Sequence, residues 1–130
     1  MKQEPMKVLL SIKPKYADLI FNGTKKFEFR RSIFKQQNIK TILVYSSSPV
    51  QKVIGEFQVE EILKYDLSKL WKTTKKFSGI DEEFFYQYFD KKEEGFAIKI
   101  DKPRRYKKAL CLKKDFNLLP PQSFLYLKEK

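Results

Sequence analysis

The sequence predicts an α+β fold: a small, mixed-strand β-barrel flanked by short helices. Three observations carry this. Strand-like segments outnumber helical ones, in the order β-α-β-β-β-α-α-β-β with a short helix or turn at the end. None of the connections shows the regular strand–helix–strand alternation of a doubly wound sheet. Gly55 falls inside a long strand pattern, where closed sheets place their bulges and corners. A length of 130 residues fits one domain, residues 1–130, with one hydrophobic core.

The elements follow in order. Met1–Met6 is a polar lead-in, and Lys7–Ile12 is an apolar first strand. Pro14 opens a helix, because its missing N–H is not needed in the first turn. Tyr16, Leu19 and Ile20 give that helix an apolar stripe. Asn22-Gly23 stops it, glycine tolerating the left-handed conformation past a helix end. Alternation then takes over. Phe27, Phe29 and Arg31 point one way, Lys26, Glu28 and Arg30 the other, with Lys25 at the mouth of the strand. Ser32–Lys40 reads as a loop and Thr41–Ser46 as a strand ending at the Ser47-Ser-Pro49 turn. Gln51–Leu63 is a long strand bent at Gly55, with its alternation broken between Val59 and Ile62.

Asp66 is placed to cap a helix from Leu67 to about Thr74. Ser78-Gly79 separates it from a second helix, whose start Asp81, Glu82 and Glu83 favour electrostatically. Phe84, Phe85, Tyr88 and Phe89 form a stripe on that helix that reads as core packing. Gly95–Ile100 is a strand, Lys102-Pro-Arg-Arg105 a basic loop, and Tyr106–Leu112 a last strand that buries Cys111 as a quiet structural thiol. Pro120-Pro121 opens a terminal helix or turn carrying Gln122, Phe124, Leu125 and Leu127.

Composition narrows the function. The net charge is +12, from 28 basic and 16 acidic residues, which is an electrostatic footprint for phosphates. The excess is nearly all lysine, arginine occurring only at positions 30, 31, 104 and 105. Such a lysine bias, with abundant Phe, Ile and Tyr, also follows from an AT-rich genome. There is no histidine. That removes Ser-His-Asp and Cys-His catalysis, paired-histidine ribonuclease chemistry and HExxH metal sites. No metal or cofactor is expected. No apolar run approaches the roughly 18 residues of a membrane span, and no signal-peptide core is present, so the expected location is cytoplasmic with no membrane partner.

The run Ile12-Lys-Pro-x-Tyr16-Ala-Asp-x-Ile20-x-Asn-Gly-x-Lys25-x-x-Glu28-x-Arg-Arg31 resembles the signature of the ASCH domain (activating signal cointegrator homology), of the small prokaryotic and phage type. Val44-Tyr-Ser-Ser-Ser-Pro49, Ile54-Gly-Glu-Phe57, Phe89, Gly95-Phe-Ala-Ile98 and Pro120-Pro-Gln-Ser-Phe124 follow in the matching order, so the resemblance covers nearly the whole chain. It implies a fold like the PUA barrel, a small β-barrel used in RNA binding. It also implies that the Lys25, Glu28, Arg30 face looks into a cleft between barrel and helices.

Candidate site residues follow from both readings. Lys25 and Arg30 flank Glu28, and two cations beside a carboxylate should hold it ionised. Such a trio can grip a phosphate or a base edge; the alternative is an exposed strand face of alternating charges. Lys13 precedes a helix start, where a phosphate can also meet backbone N–H groups. Tyr45, Ser46 and Ser47 end a strand, and Gln122 and Ser123 follow a rigid Pro-Pro pair, so each can hydrogen-bond a ligand. Arg104, Arg105, Lys107 and Lys108, with Lys113 and Lys114, offer a peripheral phosphate-tracking surface or a solvated edge.

Three functions compete. The first is a nucleic-acid-binding module for RNA or a modified nucleoside. The second is a small hydrolase using the same cleft, either a ribonuclease or a nucleoside amidohydrolase. One branch of the family resembles enzymes that deacetylate N4-acetylcytidine with a lysine after the glycine turn, a threonine three residues on and a distal glutamate. Lys25 matches that lysine, but Glu28 stands at the threonine position and Thr24 lies one residue before Lys25. If the chain is an enzyme, Lys25 and Glu28 carry the chemistry. The third is a protein-interaction module in transcription.

Overall fold

The architecture is a computed structural model that describes residues 6–36 and 38–128. Residues 1–5 of the expected lead-in lie outside the described residues, and Met6 already begins a strand. Six strands form one mixed sheet: β1 (Met6–Ile12), β2 (Phe27–Arg30), β3 (Thr41–Ser46), β4 (Lys52–Asp66), β5 (Glu94–Leu110) and β6 (Phe124–Lys128). The helices are α1 (Pro14–Phe21), α2 (Leu67–Thr74), α3 (Glu82–Tyr88) and α4 (Leu112–Phe116). The strand order is β2-β5-β4-β3-β1-β6. β1 runs parallel to β3, and the other neighbouring pairs are antiparallel.

The middle of β1, Val8–Leu10, is apolar and fully buried because the strand lies inside the sheet and is covered on both faces there. Val8, Leu10 and Ile12 pack with Ala17 and Ile20 of α1, whereas Leu9 packs with Leu43, Tyr45, Val53 and Leu112. Pro14 occupies the first turn of α1, and Gly23 beyond its end has φ 87°. Ala17 and Ile20 are the residues α1 buries; Tyr16 is half-buried, packed against the same cluster at its edge. α2 and α3 are inserted between the long strands β4 and β5. Asp66 and Asp81 cap them, accepting from Lys69 N at 3.0 Å and Phe84 N at 2.8 Å. Phe27, Phe29, Leu70, Phe85 and Phe89 join there in a second core. No helix among the described residues is long and apolar enough to cross a membrane.

The α+β expectation holds, but the sheet is not closed into a barrel. β2 and β6 are its two ends and do not pair with each other. β2, four residues long, makes its one ladder with β5. A side-chain bond spans the gap instead, Arg30 Nη2 donating to Ser123 Oγ just before β6.

Three further expectations change. The basic stretch Lys102-Pro-Arg-Arg105 is not a loop; β5 runs straight through it. Register shifts opposite Gly55, between Glu56 and Gln58 and between Val59 and Glu61 absorb the irregular backbone, including Lys102 at φ 49°. The cross-strand pair Glu56–Arg104, 3.1 Å apart, with the Tyr106 hydroxyl donating to Glu56 at 2.8 Å, secures the pairing. Next, the segment after Pro120-Pro121 is a strand. Phe124 and Tyr126 face one cluster and Leu125 and Leu127 the other, so an all-apolar run carried no visible period. Finally, β5 ends at Leu110, and Cys111 is a half-buried free thiol leading into α4 rather than a buried strand residue.

Gly55 is required for close packing. A Cβ there would lie 2.6 Å from the Arg104 carbonyl oxygen and 2.6 Å from the Phe21 ring. Gly55→Ala should therefore destabilise the fold by about 1–3 kcal/mol, as overpacking typically does. Thermal unfolding would register this as a fall of several degrees in Tm; an unchanged Tm would mean that the bulge can widen freely.

Candidate functional site

A cleft of about 190 Å³ opens between the end of β1, helix α1, strand β2 and helix α3. Its ionisable lining is Lys13, Tyr16, Lys25, Glu28, Arg30 and Tyr88, with Ser11, Phe29, Ile80 and Phe84 completing the walls. The strand alternation of β2 builds it. Phe27 and Phe29 belong to the second core, and Glu28 and Arg30 take the other side.

Lys25 departs most from expectation. It does stand just before β2, but it is 3% exposed and so is not available at the surface to grip a phosphate. Its Nζ donates to the Ser78 carbonyl at 2.6 Å and lies 4.8 Å from the Phe29 ring centroid. Gly79, at φ 73°, makes this possible: a Cβ there would come within 2.8 Å of the Lys25 chain. Burial lowers the Lys25 pKa to about 8, with Glu28 opposing that shift.

Glu28 is also buried, and here the structure corrects the sequence. Two neighbouring cations should have depressed its pKa. Burial outweighs both, and the pKa is raised. Lys25 and Arg30, whose Nη1 lies 3.4 Å from the carboxylate, only moderate the rise. Amine and carboxyl are thus both biased toward their neutral forms. A buried amine with a pKa of about 8 can give and take a proton near neutral pH, which an ordinary surface lysine does not do.

The other candidates separate into groups. Lys13 is exposed on the cleft rim, at the N-cap of α1. Ser123 reaches the site through Arg30. Gln122 and Ser47 do not line the cleft, although Ser47 N donates to the Ile12 carbonyl at 3.0 Å and so holds its turn beside the end of β1. Tyr45 is buried in a core cluster, and the Ser46 hydroxyl is buried without a hydrogen-bond partner. Arg104 and Arg105 lie outside the cleft, bound to Glu56 at 3.1 Å and to Asp18 at 2.9 Å; Lys107 is exposed on the same strand. Among the described residues, no acidic or cysteine cluster is arranged to hold a metal ion.

Sequence reasoning missed the aromatic walls. The core-packing expectation holds for Phe85 and Phe89, which are fully buried, and for Tyr88, which packs against their cluster, whereas Phe84 lies outside it on the cleft wall. Phe84 stacks on Tyr16 with ring centroids 5.8 Å apart, and the Tyr88 hydroxyl donates to the Phe29 carbonyl at 3.0 Å. Adjacent aromatics on a short helix present two faces, and that spacing was the available signal.

Comparison with known proteins agrees with this architecture. The ASCH domain family matches residues 10–104, and the chain belongs to that family. The "ASCH domain-containing ribonuclease" of Zymomonas mobilis is 30% identical over 125 residues, covering 94% of this chain and 84% of that protein. The crystal structure of ASCH from the same organism superposes with a TM-score of 0.86 at 28% identity, over 95% of this chain and 88% of that one. A protein of Ureaplasma parvum named large ribosomal subunit protein uL22 is 28% identical over 93% of this chain, which spans only 39% of that relative's length.

The Lys25 pKa sets a pH test. The unfolded chain keeps that lysine protonated up to about 10.5, whereas the folded chain releases the proton near 8. The unfolded state therefore binds more protons between those values, and stability should rise with pH across this window. Lys25→Met should remove that rise, as read by unfolding midpoints at pH 7, 8, 9 and 10. An identical pH slope in the variant would show that the amine does not titrate there.

Proposed function

We propose that this chain binds RNA and seats one unpaired base in the cleft walled by Tyr16, Phe84 and Tyr88. The carrying observation is the juxtaposition of Lys25, Glu28 and Arg30 on the floor of an aromatic-walled cleft. Drug-sized sites occupy roughly 300–1,000 Å³. A cleft of about 190 Å³ suits a single ring and its immediate substituents. Aromatic walls take any base by its π-face. The Arg30 guanidinium donates and the Glu28 carboxyl beside it, 3.4 Å away, accepts, so together they can read a base edge. Lys13 on the rim and the net charge of +12 favour the attached phosphates. A free modified nucleoside is the same ligand without the flanking phosphates.

A second reading, hydrolysis of the bound RNA, is favoured by two observations. A relative matched over 84% of its length is named a ribonuclease. The buried Lys25 amine, with a pKa of about 8, can serve as a base without histidine. Tyr88 and Tyr16 have raised pKa values, chiefly through burial, and so remain hydroxyl donors.

Binding is tested by fluorescence anisotropy with short single-stranded RNA, single-stranded DNA and duplex at two salt concentrations. Arg30→Ala should weaken RNA binding roughly tenfold, the scale of one charge-assisted contact. Full affinity in a folded Arg30→Ala variant would exclude the cleft, and equal collapse of all ligands at the higher salt would reduce the interaction to net charge. Cleavage is followed with end-labelled RNA: its rate should climb toward pH 8 and be lost in Lys25→Met.

A further inference from the structure

A second, wider groove adjoins the cleft, with a volume of about 610 Å³. Tyr16, Ile80 and Phe84 line both, so the stacked Tyr16–Phe84 pair is the wall between them. The groove adds Lys15 from α1, Thr24 from the glycine turn, and Lys75 and Gly79 from the α2–α3 connection. We propose that this groove is a second subsite, holding the sugar-phosphate of the next nucleotide in a single strand whose base occupies the cleft. This rests on the binding reading above and deepens it: the ligand is an oligonucleotide, not a free nucleoside.

Charge and geometry support the same occupant. The Tyr16 ring is approached by one ammonium from each compartment. Lys25 Nζ, from the cleft, lies 5.6 Å from its centroid, and Lys15 Nζ, from the groove, lies 5.8 Å from it. A strand crossing this wall would pass the exposed Lys15 ammonium in the groove and the Arg30 guanidinium in the cleft. Asp81 is the one carboxylate in the groove lining, and its Oδ1 already accepts the Phe84 N–H to cap α3. Lys15 and Lys75 are both exposed, hence free to swing onto a phosphate. A base enters the cleft only when unpaired, and a basic groove beside an aromatic platform is how single strands are commonly tracked. A paired duplex would keep the base out of the cleft and leave the groove without its neighbour.

The test compares a trinucleotide RNA with a nucleoside monophosphate as competing ligands. Three proteins are used: the unaltered chain, Lys15→Ala/Lys75→Ala, and a control, Lys92→Ala/Lys113→Ala, which removes equal charge from exposed positions outside both compartments. The groove variant should bind the trinucleotide roughly tenfold more weakly than the control, a modest loss because both lost contacts are exposed. Its slope of log affinity against log salt should fall by about 0.7 for each lysine that meets a phosphate. Monophosphate affinity should match the control. Equal trinucleotide affinity in the two variants would overturn the second subsite. So would an unaltered chain that binds the monophosphate as tightly as the trinucleotide, and the cleft reading would survive. An unaltered chain that binds neither ligand would remove the cleft reading and this inference together.

Discussion

The buried bond from Lys25 Nζ to the Ser78 carbonyl ties the start of β2 to the connection between α2 and α3. The next backbone rung, Lys26 N to the Phe77 carbonyl at 2.8 Å, repeats the tie. Placing an amine in that position costs desolvation energy, which one short hydrogen bond and the faces of Phe29 and Tyr16 only partly offset. The uncompensated part is visible as the lowered pKa. This tie acts with the Tyr88 hydroxyl bond to the Phe29 carbonyl and the Arg31 bonds to the Tyr88 and Asp90 carbonyls to set α3 over β2, so that Phe84 and Tyr88 wall the cleft that holds Glu28. Gly79 serves the same constraint, because a side chain there would displace the lysine.

The arginines and lysines divide their work. All four arginines have partners within the fold. Arg30 holds Glu28 and Ser123, Arg31 donates to the Tyr88 and Asp90 carbonyls behind α3, Arg104 pairs with Glu56 and Arg105 with Asp18. Their forked donors suit such fixed geometry. The long-range field of the +12 chain is carried chiefly by exposed lysines, which salt screens readily. Any discrimination between ligands must then come from the cleft, where the groups are buried and oriented. Net charge and site chemistry are therefore separable experimentally by salt.

Burial also reverses a simple electrostatic rule. A carboxylate between two cations is ordinarily held ionised. At Glu28 the loss of water is the larger effect, and the pKa moves up while that of Lys25 moves down. Glu56, half-buried between Arg104 and Tyr106, braces the β4–β5 pair.

Much of this was legible in the chain itself. Pro14, Asn22-Gly23, Asp66 and Asp81 mark helix ends through local backbone chemistry, and each acts where the sequence placed it. Alternation along Phe27–Arg30 separated the core face from the Glu28 and Arg30 face, because a strand has period two whatever surrounds it. Gly55 announced the bend in β4 for the same local reason. Tertiary structure decided the rest. Pairing with β4 turned the apparent loop at Lys102–Arg105 into strand, and pairing with β1 made a strand of the apolar run after Pro121. Whether Lys25 faced water or the Ser78 carbonyl, and whether Phe84 filled the core or lined a cleft, depended on contacts across more than fifty residues. Local pattern fixes which way a side chain leaves the backbone; only packing determines what it meets and how much water remains around it.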